Sequence, residues 1–389
     1  MVALEYQVKE IASLPELLEE LDTKGIYGAP RYRAVNGYIS LKARYRDIQV
    51  SGTFELTPFC NLDCKMCYVH LNQNQIKDGE RLLTVDEWKT IIKQAVDAGM
   101  MFATLTGGEC LTYPGFKEIY LYLISLGIRP DILTNGRLLT EEMIEFFSAN
   151  PPAGLQITIY GSNEDAYERV TGHRAFCEVM DGVFRAKKAG MNILLTITPS
   201  KYMREDIRTL LDFIHQQNIP YTIGSAMLLP RSETGRNQKQ HDLDMDAEIR
   251  LKQMEKEYKG QKQCFENVQR LPQYVPLKKD NLRGLPCGGA HSTFHVNWKG
   301  EMCPCIGFSE AVHLKILNEF FSQTWKKLCN VMLDYKPPKE CAECSIGEYC
   351  VSCPAIKGMG KVVGTLNPQV CQKVCTYCGD KLEVVSLEE

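Results

Sequence analysis

Three cysteines within eight residues constrain this chain more than anything else in it: Cys60-Asn61-Leu62-Asp63-Cys64-Lys65-Met66-Cys67, a C-x3-C-x2-C spacing. They follow an alternating apolar run, Thr53-Phe54-Glu55-Leu56-Thr57, that reads as a strand. A loop this short brings three sulfurs to one place, where they can wrap a small metal cluster. Three thiolates leave one iron of a [4Fe–4S] cube without a protein donor, and an open iron is a place for a substrate or cofactor to bind. The alternatives are a zinc loop or three buried thiols. Structural zinc prefers paired CxxC units, and buried free cysteines seldom cluster in this way.

Composition narrows the setting. The chain has 389 residues, enough for two or three domains, and its 44% hydrophobic and 24% charged content is ordinary for a globular protein. A net charge of −3 makes no electrostatic case for nucleic acid or an anionic membrane. The first ten residues are too charged for a signal peptide and no long apolar run follows, so a soluble, cytoplasmic protein is expected. In a reducing compartment, 17 cysteines argue for metal clusters over disulfides.

From Val50 to about Arg231, strand and helix signals alternate in the rhythm that builds a parallel sheet. Strands are predicted at 53–57, 101–106, 130–134, 155–160, 192–198 and 221–225, with helices near 84–98, 115–126, 140–149, 177–189 and 205–216. Thr84-x-x-Glu87 is a capping box, and Trp88, Ile91, Ile92, Ala95 and Val96 share one helix face. Six such units predict an α/β fold, a partial (β/α)6 TIM-like barrel with its site at the C-terminal strand ends. The expected division is an N-terminal cap over 1–50, the barrel over 51–235, a connector over 236–284 and a cysteine-rich domain over 285–389. The cap is expected to hold an acidic helix at Leu14–Leu21 and strands around Tyr38–Leu41. A charged helix is expected at Met245–Tyr258.

The cysteine motif at the end of a first strand resembles that of the radical S-adenosylmethionine (SAM) enzymes. The resemblance implies that Cys60, Cys64 and Cys67 hold a [4Fe–4S] cluster whose open iron chelates SAM, which is then cleaved to a 5′-deoxyadenosyl radical. Thr106-Gly107-Gly108-Glu109 is similar to the family's GGE-Pro motif, which holds the SAM amino group, with Cys110 in place of the proline. On the same resemblance Gly107, Gly108, Glu109, Thr134, Asn135, Thr158 and Arg169 are SAM contacts. Thr134-Asn135-Gly136 falls near the ribose, and Arg169 near the carboxylate. A plain turn at 134–136 and a solvent-facing Arg169 are the competing readings.

Eleven of the cysteines lie from Cys287 onward, a density that no ordinary hydrophobic core accommodates. Cys287, Gly300 and Cys305, then Cys341-x2-Cys344-x5-Cys350-x2-Cys353 and Cys371, resemble the SPASM extension, which binds two auxiliary [4Fe–4S] clusters. That resemblance implies Cys341, Cys344, Cys350 and Cys371 for the outer cluster and Cys287, Cys305 and Cys353 for the inner one. Only two residues separate Cys350 from Cys353 where relatives have three. The fourth inner ligand could be Cys303, Cys264 or none, and paired zinc ribbons are the alternative for the whole region. Cys177 and Cys329 are expected to be core thiols.

SPASM relatives mostly modify peptides or proteins, which implies a peptide or protein substrate and an electron donor such as flavodoxin or ferredoxin. Sulfatase maturases carry an aspartate base directly after the cysteine matching Cys305. Ile306 stands there in this chain and cannot take a proton. A maturase forming thioether or carbon–carbon crosslinks is therefore the first expectation. Formylglycine formation and small-molecule oxidation are the alternatives. The loop carrying Arg231, Glu233 and Arg236 is expected at the barrel mouth, where a solvated loop is the first reading and a grip on substrate the alternative; Tyr68 and Tyr160 are further mouth candidates.

Overall fold

The computed structural model describes residues 8–198, 200–203, 206–223, 231–235, 273–276, 285, 287–308 and 311–335. The connector's expected helix, Arg236, Cys264 and all of Cys341, Cys344, Cys350, Cys353, Cys371, Cys375 and Cys378 lie outside the described residues.

After a short strand β1 (Val8–Ile11) come helices α1 (Leu14–Thr23) and α2 (Gly28–Arg44). Six strands follow, β2 (Ser51–Glu55), β3 (Phe102–Thr106), β4 (Asp131–Thr134), β5 (Gly154–Ile159), β6 (Ile193–Ile197) and β7 (Tyr221–Ile223). Helices α3 (Val85–Asp97), α4 (Phe116–Ser125), α5 (Glu141–Ala149), α6 (Glu164–Thr171), α7 (Phe176–Lys188) and α8 (Ile207–Gln216) lie between them. Later come β8 (Gln273–Pro276), β9 (Thr293–Val296), β10 (Glu301–Cys303), β11 (Leu314–Lys315) and α9 (Phe321–Leu333). The principal sheet runs β11-β10-β9-β2-β3-β4-β5-β6-β7. From β9 to β7 every neighbouring pair is parallel, and β9, β10 and β11 are antiparallel.

All six expected barrel strands form. The seventh parallel strand, β9, comes from beyond the expected connector and pairs Phe294 with Gly52. It covers the free edge of β2, which would otherwise present unpaired backbone groups. Gly52 leaves the room: a Cβ there would stand 2.5 Å from the Phe294 ring.

Alternation sorts each strand into two faces. On β5, Leu155, Ile157 and Ile159 are fully buried, whereas Gln156 and Thr158 are half-buried on the opposite face. Phe54 of β2 packs edge-on against Trp88 of α3, which puts the odd-numbered residues Thr53 and Glu55 on the inner face. Capping explains where the helices start. Thr84 accepts from the Glu87 amide while Glu87 accepts from the Thr84 amide, as the capping box predicts. Gly99, at φ 110°, lets the chain turn into β3.

The cap departs from expectation. Residues 38–41 are helical, not strand, because α2 buries Tyr38 against Ile11, Leu17 and Leu21, and its hydroxyl donates to the Ile11 carbonyl at 3.2 Å. Tertiary burial overrides the strand preference of Tyr and Ile here. The same helix plugs the floor of the barrel: Tyr32 meets Phe102 at the start of β3. Arg33 faces Asp131 at the start of β4, where burial pushes the Asp131 carboxyl up to about 6 against the pull of that arginine.

Candidate active site

The cysteine loop leaves the C-terminal end of β2, opposite the floor. Its backbone is held from two sides. Asp63 and Lys65 donate to the carbonyls of Thr171 and Val170 in the last turn of α6, each at 2.9 Å. From the other side Gly108 donates to Thr57 at 2.7 Å and Glu109 to Phe59 at 2.8 Å. The two glycines permit this approach, since a Cβ on Gly107 would lie 2.5 Å from the Thr57 carbonyl and one on Gly108 would collide with Phe59 and Pro58. The Gly107-Gly108 pair therefore seats the second strand's loop on the cysteine loop.

Cys64 is buried, and Cys60 and Cys67 are half-buried. Burial raises the pKa of the Tyr160 phenol, just past β5, and the Cys64, Cys60 and Cys67 thiols add to that rise. The Cys60 sulfur accepts from the Leu62 amide at 3.4 Å and the Asn135 side chain at 3.5 Å, and the Cys67 sulfur from the His70 amide at 3.3 Å. Burial pushes the Cys60 thiol up to about 12, and the Glu109 carboxylate adds to it. Among the described residues no three His, Cys, Asp or Glu side chains stand close enough to grasp a single metal ion. Three thiols on one short loop, one buried and two half-buried, are a donor set that fits a polynuclear cluster bringing its own positive charge.

Glu109 is almost fully buried. One carboxylate oxygen accepts from the Thr134 hydroxyl at 2.8 Å and the Leu111 amide at 3.1 Å, and the other from the Asn135 amide at 2.7 Å. Burial raises its pKa against the pull of those donors. Gly107, Gly108, Glu109, Thr134 and Asn135 are thus drawn together beside Cys60. Thr158 lies on the inner face of β5, in register with Thr196 of β6. Arg169 is exposed on α6, the helix whose last turn carries the cysteine loop. Asn163 caps that helix and Gly172 ends it in the left-handed region, both legible signals that the strand-centred reading of this stretch passed over. Cys110 is buried and donates to the Leu133 carbonyl at 3.3 Å.

The opposite wall was not foreseen. Arg231, expected on a loop at the barrel mouth, is buried, and its guanidinium is committed to Glu55 in a two-pronged pair at 2.8 and 2.6 Å. Burial alone would raise the Glu55 pKa, yet Arg231 and His295 hold it down at about 2. His295, on the inner face of β9 in register with Thr53, brings Nε2 to 3.3 Å from the same carboxylate. Burial keeps this imidazole's pKa below the usual value. Cys303 is its cross-strand partner on β10. Arg231 also donates its amide to the Tyr68 carbonyl at 3.0 Å. Glu233 meets Lys299, which also holds Glu80. The 231–235 segment is thereby fastened to the cysteine loop and to the β9–β10 turn. Alternating polar residues on β2 and β9 were the only sequence sign of this wall. Cys287 and Cys305 are half-buried, Cys303 buried and Cys329 half-buried, but Cys177, expected in the core, is exposed.

A parallel partial barrel with a three-cysteine loop at its mouth, bonded to a Gly-Gly-Glu loop, defines a class, and the comparisons agree with it. Residues 54–214 match the family described as the radical SAM superfamily. The chain is a radical SAM enzyme. It is 27% identical over 324 residues to the AdoMet-dependent heme synthase of Methanosarcina barkeri, covering 78% of this chain and 90% of that protein. It is 24% identical to the sporulation killing factor maturation protein SkfB of Bacillus subtilis, over 54% of this chain and 50% of the relative. Among solved structures, Streptococcus suis SuiB bound to precursor peptide SuiA superposes with a TM-score of 0.63 at 15% identity, covering 92% of this chain and 82% of that one. Native anSMEcpe with bound AdoMet does so with a TM-score of 0.62 at 15% identity, covering 87% and 99%. These likenesses establish a shared fold. No helix among the described residues is long and apolar enough to cross a membrane.

Proposed function

We propose that this enzyme modifies a side chain of a peptide or protein, with Cys60, Cys64 and Cys67 holding the SAM-binding [4Fe–4S] cluster. When bound and reduced, that cluster supplies the electron that splits the SAM sulfonium and releases a 5′-deoxyadenosyl radical. The observation that carries the reading is Glu109: a buried carboxylate whose partners among the described residues are all neutral donors, one loop away from Cys60. It is suited to an ammonium group delivered beside the cysteine loop. Gly107, Gly108, Thr134, Asn135, Thr158 and Arg169 complete the proposed SAM surroundings. Cys287, Cys305 and Cys353, and Cys341, Cys344, Cys350 and Cys371, are proposed to hold two auxiliary clusters in a SPASM domain over 285–389. The donor of electrons is proposed to be a flavodoxin or ferredoxin.

Support for a peptide comes from SuiB, whose structure holds a precursor peptide, and from SkfB, named as the maturation protein of a sporulation killing factor. A second reading has its own observation: the relative matched over 90% of its length is a heme synthase, which favours a tetrapyrrole side chain. Anaerobic protein incubated with SAM and dithionite is expected to form 5′-deoxyadenosine, and Cys64→Ala to form none. Iron-coproporphyrin III and a panel of cysteine-containing peptides are then offered in parallel and followed by mass. Porphyrin decarboxylation with untouched peptides would replace the first reading by the second. 5′-Deoxyadenosine from Cys64→Ala would overturn both.

A further inference from the structure

The Asn135 side chain has a better-defined role than a turn residue or a ribose contact. Its orientation is set by its neighbours: Oδ1 accepts from the Arg137 amide at 3.0 Å, so Nδ2 must face the other way. There its two hydrogens find two acceptors, Asn61 Oδ1 at 2.7 Å and the Cys60 sulfur at 3.5 Å. The amide cannot drift, because the Asn135 backbone N–H is held by Glu109 and Arg137 reaches across to the Asn61 carbonyl at 2.6 Å. Asn135 is itself buried. The Leu62 and His70 amides that donate to the Cys60 and Cys67 sulfurs are backbone groups that any residue would supply.

We infer that Asn135 is a positioning residue that sets the reduction potential of the SAM-binding cluster by donating a side-chain N–H to the Cys60 sulfur. A donor on a ligating sulfur withdraws electron density and stabilises the reduced, more negative cluster, so the potential rises. This inference rests on Cys60 being a cluster ligand, as proposed above, and extends it to how readily that cluster takes an electron.

Asn135→Ser tests it. The serine hydroxyl can still accept from the Arg137 amide and keep the turn, but it is too short to reach Cys60. The readout is an EPR-monitored redox titration of the anaerobically reconstituted full chain without SAM, following the signal that Cys64→Ala lacks. Asn135→Ser is expected to move that midpoint to more negative potential, and Asn135→Asp further, because it adds a negative charge. Asn61→Ala keeps the Asn135 amide, removes the carbonyl oxygen that stands 3.9 Å from the Cys60 sulfur and is expected to move the midpoint the other way, which decides the matter even if Asn135→Ser loads no cluster. Unchanged midpoints would overturn the inference, as would a loss of SAM affinity with no change in potential, the mark of a ribose contact. A wild-type chain with no Cys64-dependent signal would instead overturn the cluster assignment itself.

Discussion

Two buried carboxylates stand at the ends of neighbouring strands, Glu55 closing β2 and Glu109 just past β3, and the molecule treats them in opposite ways. Glu55 has a guanidinium on both oxygens and an imidazole beside it, and its pKa is held down at about 2. Glu109 has only neutral donors among the described residues, and its pKa is raised. One wall of the mouth is a finished ion pair. The other is a carboxylate met by neutral donors, proposed above to take the SAM ammonium. A buried charge with an unmet counter-charge is costly to keep, and functional sites are where such groups concentrate. The comparison thus separates a wall closed by its own ion pair from the wall proposed to meet the cofactor.

The sharpest break comes at the finished wall. Arg231→Met strands Glu55 without its cation and is expected to cost about 3–5 kcal/mol in denaturant unfolding, as removing one partner of a buried pair does. The double variant Glu55→Gln/Arg231→Met is expected to recover most of that loss. A single variant costing under about 1 kcal/mol would mean that the pair is not what fastens the 231–235 segment.

Acid separates the two walls next, and the signs oppose. Glu55 has a folded pKa below the ordinary carboxylate value, so its stabilising contribution is present at neutral pH and is lost as pH falls through 4.5 towards 2. Glu109 has a raised folded pKa, so its contribution is present below 4.5 and is lost as pH rises above it. Melting temperatures of Glu55→Gln and Glu109→Gln against wild type, from pH 3 to 7, are expected to diverge in opposite directions. Parallel curves would erase the distinction.

The smallest effect on stability is expected from Glu109→Gln, about 1 kcal/mol for one lost hydrogen bond at the Asn135 amide. Its effect on the cofactor is expected to exceed its effect on the fold, with SAM affinity of the reconstituted protein falling about tenfold or more by calorimetry. Full SAM affinity would move the ammonium site elsewhere in the mouth.

The barrel was legible because its signals are local. The Thr84 capping box, the glycine at 99 and the alternation along 154–159 are each written within a few residues, and the structure follows them. The three-cysteine loop and the Gly-Gly-Glu turn were legible for the same reason. Tyr38 shows where such reading fails: its strand preference is real, but α2 forms because burial against α1 outweighs it. Arg231 failed differently. Nothing within its own loop marks it as buried, and its ion-pair partner, Glu55, lies 176 residues upstream on β2.

The amino-acid sequence by itself determined the chemistry on offer, three thiols on one short loop and a glutamate behind two glycines, because ligand spacing and strand periodicity are properties of neighbouring residues. Only the tertiary structure decided which carboxylate is paired and which is left for a ligand, and that Asn135 turns its amide toward sulfur. Those outcomes depend on strands and loops far apart in the chain meeting at the barrel mouth, where burial makes every charge find a partner or pay in stability.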